Sequence, residues 1–425
     1  MKKPRIAICD LLMSWPPDAG AFVDVVEIAT RLAREAEVQL ILPHIKSYFP
    51  FGRTFIDSIL ERYSRLYLRG TISEPLPFSV KHIDFSGIGF GPKKVATEYE
   101  KVLENFQPDH TFISNGFHIK ANLVLALSHR KPVLRIYAHE MLCPKGDGWF
   151  YRYSKICERN HLEGNFANCL ICATTFYTLC PAPTYLQEWI HAGAYRPSYP
   201  TLVKRAIGRA STVIVSNEWT ARRVRPYSNS VKIIPSGVPV ERFTPRSAPS
   251  DEQSKTRLIV AVPGRVADPH KGKAFLKKVI RVIGIERPEI HFHITGTKSC
   301  FSGPNVHEVG WLNQNTLPSF YHEADLAFIP SLWPEPQGIV ALEAMASGLP
   351  LVVTRVGGLQ DLVIHTESGL IVGAGDVRAA CDAIIRLADS IELRRKMGEL
   401  ARERANRYSW DSIFENYYRP LFLEA

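Results

Sequence analysis

The sequence predicts an α/β protein made of two Rossmann-like halves with parallel sheets. Three observations carry that expectation. Strand-like apolar runs alternate with helical stretches over nearly the whole chain, the pattern of α/β layers. One polar stretch, FTPRSAPSDEQSKTR at residues 243–257, lacks any periodicity and reads as a linker. Beyond it the alternation restarts from a fresh strand, and 425 residues are ample for two or three domains of roughly 150 residues each.

The chain opens Met1-Lys2-Lys3-Pro4-Arg5 before IAICDLLMSW, which imitates the basic start of a secretory leader. Asp10 interrupts the apolar run and no small-residue cleavage site follows, so residues 6–12 read as a buried first strand. Helical spacing comes next over 23–34, where Val23, Val26, Ala29, Thr30 and Ala33 share a face. Further first-half strands fall at 38–42, 110–114, 133–137 and 212–216. After the linker come a strand at 258–262, a helix from Ala274 and a strand at 289–295. A helix near 317–323, a strand at 326–329, a helix from Gly338 and a strand at 351–354 complete the series. Two similar halves on one linker are expected to face each other across a cleft, the usual place for a small ligand.

Apolar residues at 45% and charged residues at 22% exclude an intrinsically disordered chain. No run approaches the roughly 20 apolar residues of a transmembrane helix. Eight cysteines are too few for a disulfide scaffold and, without a leader, read as reduced thiols. A soluble, cytoplasmic protein is the expectation. The charge balance, 52 − 42 = +10, admits nucleic acid, an anionic membrane surface or an acidic small substrate. The positive residues are spread along the chain, with no basic tail and no aromatic–basic RNA signature, so no nucleic-acid partner is expected.

The densest chemical signal is PSLWPEPQGIVALEAMASGLP at residues 330–350. Glu335 lies in a Pro-rich loop after a strand, and Gly338 opens an Ala-rich helix that contains Glu343. A helix start presents unpaired N–H groups and a positive dipole end, suited to a phosphate. Glu335 could accept from hydroxyl groups, whereas Glu343 sits on an otherwise apolar helix, where an unpaired carboxylate is costly. On local grounds alone the two are equally a helix-start charge and a solvated face residue. The second signal, PGRVADPHKGK at 263–273, follows the second half's first strand. Arg265 and Lys271 would repel each other there unless an anion such as a diphosphate bridged them. A solvated basic loop is the plain alternative.

EPxGxxxxEAMAxGxP, with Glu335 and Glu343, together with GRxxxxxKG from Gly264, resembles the retaining family-4 glycosyltransferases of GT-B fold. SGVPVERF at 236–243, VGWLNQNTLPSFYHEADLAFIPS at 309–331 and VGGLQDLVIHTESGLIV at 356–372 are similar to further segments of that family. The resemblance implies two Rossmann-like domains facing across a cleft. Residues 1–248 would form the acceptor side, 249–407 would bind the nucleotide sugar, and 408–425 would form a C-terminal helix crossing back. It also implies a nucleotide diphosphate sugar as co-substrate, UDP- or GDP-linked, and no catalytic metal. The acceptor would be a hydroxyl of a glycan, a lipid-linked glycan or a small molecule.

Carried over residue by residue, Arg265 and Lys271 would neutralise the donor diphosphate and the leaving-group charge. Gly264 would lie beside them. Glu335 would contact sugar hydroxyls, with the backbone at Gln337, Gly338 and Ile339 near sugar and phosphate. Glu343 would accept from ribose hydroxyls, and Gly310 and Trp311 would meet the base. His139, in RIYAHEM, matches the family's catalytic-cleft histidine. The chain departs from the family at Gln337, where Phe is frequent, at Ser236 in place of Asn, and in the first loop. There Asp18-Ala19-Gly20-Ala21 replaces a paired glycine, and Gly20 alone would let backbone approach a phosphate. No first-half carboxylate stands out as a nucleophile, so the implied route is same-face transfer assisted by the departing phosphate. A catalytically inactive GT-B glycan- or nucleotide-binding protein and a nucleotide-sugar epimerase of the same fold are the alternatives.

Two further features stand apart. Cys143, Cys157, Cys169 and Cys172 fall within 30 residues and offer a four-thiolate structural zinc site, although the spacing is not that of a standard ribbon. The stretch FGRTFIDSILERYSRLYLR at 51–69 sets Arg53, Arg62, Arg65 and Arg69 beside an apolar stripe. It suits peripheral contact with an anionic membrane, on the inner face, as well as it suits docking on the core.

Overall fold

The computed structural model describes residues 3–12, 20–45, 76–85, 91–145, 150–151, 155–179, 188–245, 257–296 and 299–424. The chain divides into two compact units. The first takes Met1–Trp149, Glu158–Ile234 and Phe414–Ala425; the second takes Phe150–Cys157 and Pro235–Ile413. The basic–aromatic stretch at 51–69 lies outside the described residues.

In the first unit, β1 (Arg5–Cys9), β2 (Glu37–Ile45), β3 (Ser79–Phe85), β4 (His110–Ile113) and β5 (Val133–Arg135) precede a short hairpin of the second unit. That hairpin pairs β6 (Phe150–Tyr151) with β7 (Lys155–Ile156) antiparallel. Then come β8 (Thr212–Val215) and β9 (Val231–Ile233), completing a seven-stranded sheet ordered β3-β2-β1-β4-β5-β8-β9. All its described pairings are parallel. Buried on both faces, β1, β4, β5 and β8 are near-continuous apolar runs rather than alternating ones. The first strand is shorter than expected because Asp10 ends it. Its carboxylate accepts from Leu12 N at 2.8 Å, Ser114 Oγ at 2.7 Å and Asn115 Nδ2 at 2.6 Å. These bonds tie the exit of β1 to that of its neighbour β4.

The second unit repeats the plan with β10 (Leu258–Val262), β11 (Ile290–Thr295), β12 (Val306–Gly310), β13 (Leu326–Ile329), β14 (Leu351–Thr354) and β15 (Gly369–Val372). Their order is β12-β11-β10-β13-β14-β15, all parallel. Alternate residues face opposite sides. Val260, Val262, Phe292 and Phe328 pack with the helices Lys273–Glu286 and Val377–Ala388. Ala261, Ala327 and Val353 face the helix Ile339–Ala346. Ala341, Ala344 and Ala346 on that helix are fully buried, so its small residues let it lie close to the sheet.

The unit boundaries differ from those read off the sequence. The main segment of the second unit begins at Pro235, ahead of residue 249. Val238 bridges Ser409, and Phe243 packs edge-on against Tyr321 in the second core, so the start of the expected linker is core structure. The C-terminal segment is also divided. Trp410 lies against Gly237 in the second unit, while Tyr418 and Phe422 pack on Phe112 in the first. Burying an aromatic such as Phe422 contributes about 1.5–3 kcal/mol, which fastens the segment to the first unit. Among the described residues, no helix is long and apolar enough to cross a membrane.

Candidate functional site

The second sheet reverses its order at β10, which lies between β11 and β13. In a parallel sheet the loops leaving two such strands diverge and open a crevice at their carboxyl ends. The loop after β10 carries Gly264, Arg265 and Lys271; the loop after β13 carries Ser331, Trp333, Glu335 and Gln337. Both sequence signals therefore meet at one switch point.

The two loops are closely joined. Gly272 has φ 94°, and a Cβ there would stand 1.9 Å from the Pro330 carbonyl oxygen. Leu332 N donates to His270 O at 2.9 Å, and the His270 ring meets Trp333 edge-on at 5.2 Å. Lys271 Nζ then reaches Glu335 Oε1 at 2.6 Å, and Ser331 Oγ donates to the same oxygen at 2.7 Å. The ammonium also lies 4.5 Å from the centroid of the Trp333 ring. Burial pushes the Glu335 carboxyl up, but the Lys271 charge and the hydrogen bonds from Lys271 and Ser331 outweigh it and hold it below the usual range. Glu335 is thus an ionised carboxylate kept in place before any ligand arrives.

Arg265 is different. Its side chain is 62% exposed, with Asp268 3.6 Å away, so it is a solvent-facing cation beside a part-buried one. Gly264 N donates to Thr295 Oγ1 at 2.7 Å, which ties this loop to the end of β11.

Gly338 stands at the head of the helix Ile339–Ala346 with φ 90°, and a Cβ there would meet Leu359 at 2.4 Å. Glycine is required at this position. The first N–H groups of the helix have no intrahelical acceptor, so Ile339 opens an anion-attracting end. The Gln337 amide does not face that end: it accepts from Ser236 N and donates to Ser236 O at 2.8 Å. Two of the positions at which this chain departs from the family pattern, Gln337 and Ser236, are therefore joined to each other.

Glu343 is 4% exposed, which removes the solvated-face reading. Tyr321 donates to its Oε2 at 2.9 Å. Burial pushes this carboxyl up to about 7, against the pull of the Tyr321 bond and the Arg242 charge. Gly310 ends β12 and accepts from Gly296 N at 2.7 Å; Trp311 follows it, 62% exposed, at the same edge of the sheet.

The remaining expected residues belong to the first unit. Gly20 is the first residue of the helix Gly20–Leu32. His139 is fully buried in the loop after β5, its ring edge-on to Trp219 at 5.1 Å. The next residue holds that loop: the Glu140 carboxylate accepts from Tyr137 N at 2.9 Å, Ala138 N at 2.8 Å and Lys120 Nζ at 3.0 Å.

Residues 245–404 match the family model described as glycosyl transferases group 1. A D-inositol 3-phosphate glycosyltransferase of Corynebacterium diphtheriae is 31% identical over 240 residues, 50% of this chain and 56% of that one. The chain spans about half the length of the curated relatives it matches. Sucrose-phosphate synthase from Thermosynechococcus elongatus superposes with TM-score 0.65 at 19% identity, covering 100% of both chains. An Anabaena protein, HepE, solved in complex with UDP and glucose, gives 0.61 at 16% identity over 98% of each. The fold is GT-B.

Among the described residues, which include Cys143, Cys157, Cys169 and Cys172, no group of three or more His, Cys, Asp or Glu is placed to hold a metal ion. Sequence reasoning passed over Ser331, Trp333 and Tyr321. The first two stood inside the string that carries Glu335, but nothing in their spacing showed that they contact it.

Proposed function

We propose that the chain is a retaining glycosyltransferase that moves a sugar from a nucleotide diphosphate sugar to an acceptor hydroxyl. The observation that carries this reading is the Lys271–Glu335 pair, 2.6 Å apart at the switch point and followed in the chain by the helix start at Ile339. Lys271, Arg265 and the N–H groups of that helix take the diphosphate, and they stabilise the charge that grows on it as the glycosidic bond breaks. Glu335 accepts from sugar hydroxyls, Glu343 from the ribose, and Trp311 offers an exposed flat ring to the base. His139 serves the transferred sugar, and no resident metal takes part. The solved relative with UDP and glucose supports a UDP-linked donor, and GDP is the second choice. The matched D-inositol 3-phosphate glycosyltransferase supports a small hydroxylated acceptor over a lipid-linked one.

A thermal-shift panel of UDP, GDP, ADP and their common sugars tests the donor, because a ligand that binds only the folded state raises its stability. One nucleotide series should raise the midpoint by several degrees, with about 2.7 kcal/mol of stabilisation at a hundred times Kd. No shift with any of them would remove the nucleotide-sugar reading.

A further inference from the structure

We propose that Trp333 is a positioning residue that holds the Lys271 ammonium ready for a diphosphate, an inference that rests on the nucleotide-sugar reading above. Trp333 touches the cation of the central ion pair: Lys271 Nζ lies 4.5 Å from the centre of its ring. A lysine side chain is a flexible four-carbon stem that loses rotamer freedom when ordered, so one contact seldom fixes it.

Glu335 alone is a poor fixing contact through a reaction. Its Oε1 serves Lys271 and Ser331, and in the proposed reaction the same carboxylate accepts from sugar hydroxyls. Each bond from the sugar lowers the negative charge that the carboxylate offers the ammonium. The ring face makes no such competing bond. It attracts the cation through its quadrupole and leaves the ammonium's other N–H groups free for phosphate oxygens.

The ring itself is held. His270, 8% exposed, meets it edge-on, and the Leu332 N–H to His270 O bond links the backbones on either side. Gly272 against Pro330 closes the same seam. The indole cannot swing away without parting the two loops. Lys271 should therefore keep its place when the sugar engages Glu335, and Trp333 is the reason.

The test compares Trp333→Leu, which removes the aromatic face, with Trp333→Phe, which keeps a ring and loses the N–H. Wild type is titrated calorimetrically with UDP, GDP and ADP, and the tightest of these and its parent nucleoside are then used throughout. Trp333→Leu should weaken the diphosphate about tenfold, in the range of a partly desolvated cation–π contact, and leave the nucleoside within about twofold. Trp333→Phe should keep most of the affinity. In a Lys271→Ala background the Trp333→Leu loss should vanish, because coupled residues are not additive. Equal losses for nucleoside and diphosphate, or an undiminished loss in the Lys271→Ala background, would reduce Trp333 to scaffold and overturn the proposal. A second measurement needs no ligand. The Lys271 ε-methylene resonances should lie upfield in wild type and Trp333→Phe, shifted by the ring current, and return to ordinary positions in Trp333→Leu. Ordinary positions in wild type overturn the positioning role by themselves. If no nucleotide binds wild type, it is the reading of function that fails, and the resonances still decide the role of Trp333.

Discussion

Lys271 and Arg265 stand on one loop and carry one charge each, yet they are held in opposite ways. Lys271 is fixed against Glu335 and Trp333, and Arg265 is 62% exposed, with Asp268 3.6 Å away. Both variants to alanine should lower turnover about 10²–10³-fold, the usual loss for one donor to a developing charge. Their effects on the free protein should separate. Lys271→Ala leaves a buried carboxylate without its counter-charge and should lose about 3 kcal/mol. Arg265→Ala removes a screened surface charge and should stay within about 0.5 kcal/mol. Urea titration of the unliganded variants checks this, and equal stabilities would mean that the Lys271–Glu335 pair is not formed in the resting protein. The residues of that pair were legible in the sequence because a cation and a carboxylate each sat in a loop after a strand. What held them was not legible. Tyr321 meets Glu343 across 22 residues and Gln337 meets Ser236 across 101, and no local pattern encodes such partners.

At the scale of elements, the loop after β5 shows how a fold can place one residue through its neighbour. His139 follows a strand that ends at Arg135, two residues earlier than the apolar run suggested, because the backbone at Tyr137 and Ala138 donates to Glu140 and not to a ladder. Lys120, on the helix Lys120–Ala126, completes the arrangement from below, and both side chains are almost wholly buried. Removing one partner of such a pair leaves the other charge unmatched. Lys120→Met should cost about 3–5 kcal/mol, and Lys120→Met/Glu140→Gln should recover at least half, because the pair removed together leaves no orphan charge. Denaturant midpoints of the two variants provide the measurement; a double variant no more stable than the single one would mean that the loop, not the charge, suffers. Of the strands, β1, β2, β4, β5, β8, β10, β11, β13 and β14 could be read because inner parallel strands are rich in apolar residues. The outer strands β3, β9 and β12 could not, since their half-exposed residues interleave polar with apolar and look like loop.

For the whole molecule, pH should act on the two units in opposite directions. In the first unit, burial lowers His118 to about 3 and His161 to about 4, both from 6.5. A histidine whose folded value is depressed stabilises the fold above its unfolded value and loses that contribution as pH falls toward the folded one. Each therefore withdraws about 1.4 kcal/mol per pH unit between 6.5 and 4.5. Glu343 in the second unit has the reverse sign. Its value is raised from 4.5 to about 7, so its contribution is present at low pH and is lost as pH rises through the folded value. Acidification from pH 7 to 4.5 therefore favours the surroundings of Glu343. His291 and His293, lowered by burial but more exposed, pull the second unit the other way, so Glu343→Gln is the necessary comparison. Glu335 and Glu140, held below the usual range, do not lose their contribution until pH drops below about 4.5, outside this window. Hydrogen exchange, expressed as protection factors to remove the intrinsic pH dependence, separates the two responses segment by segment. Protection in the helix Tyr199–Arg209, whose Tyr199 hydroxyl donates to His118 O, should fall on acidification. Protection in the helix Ile339–Ala346 should rise in wild type relative to Glu343→Gln over the same range. A uniform response of both helices, unchanged by Glu343→Gln, would show that Glu343 is ionised at neutral pH and that its burial is compensated by a partner in solution.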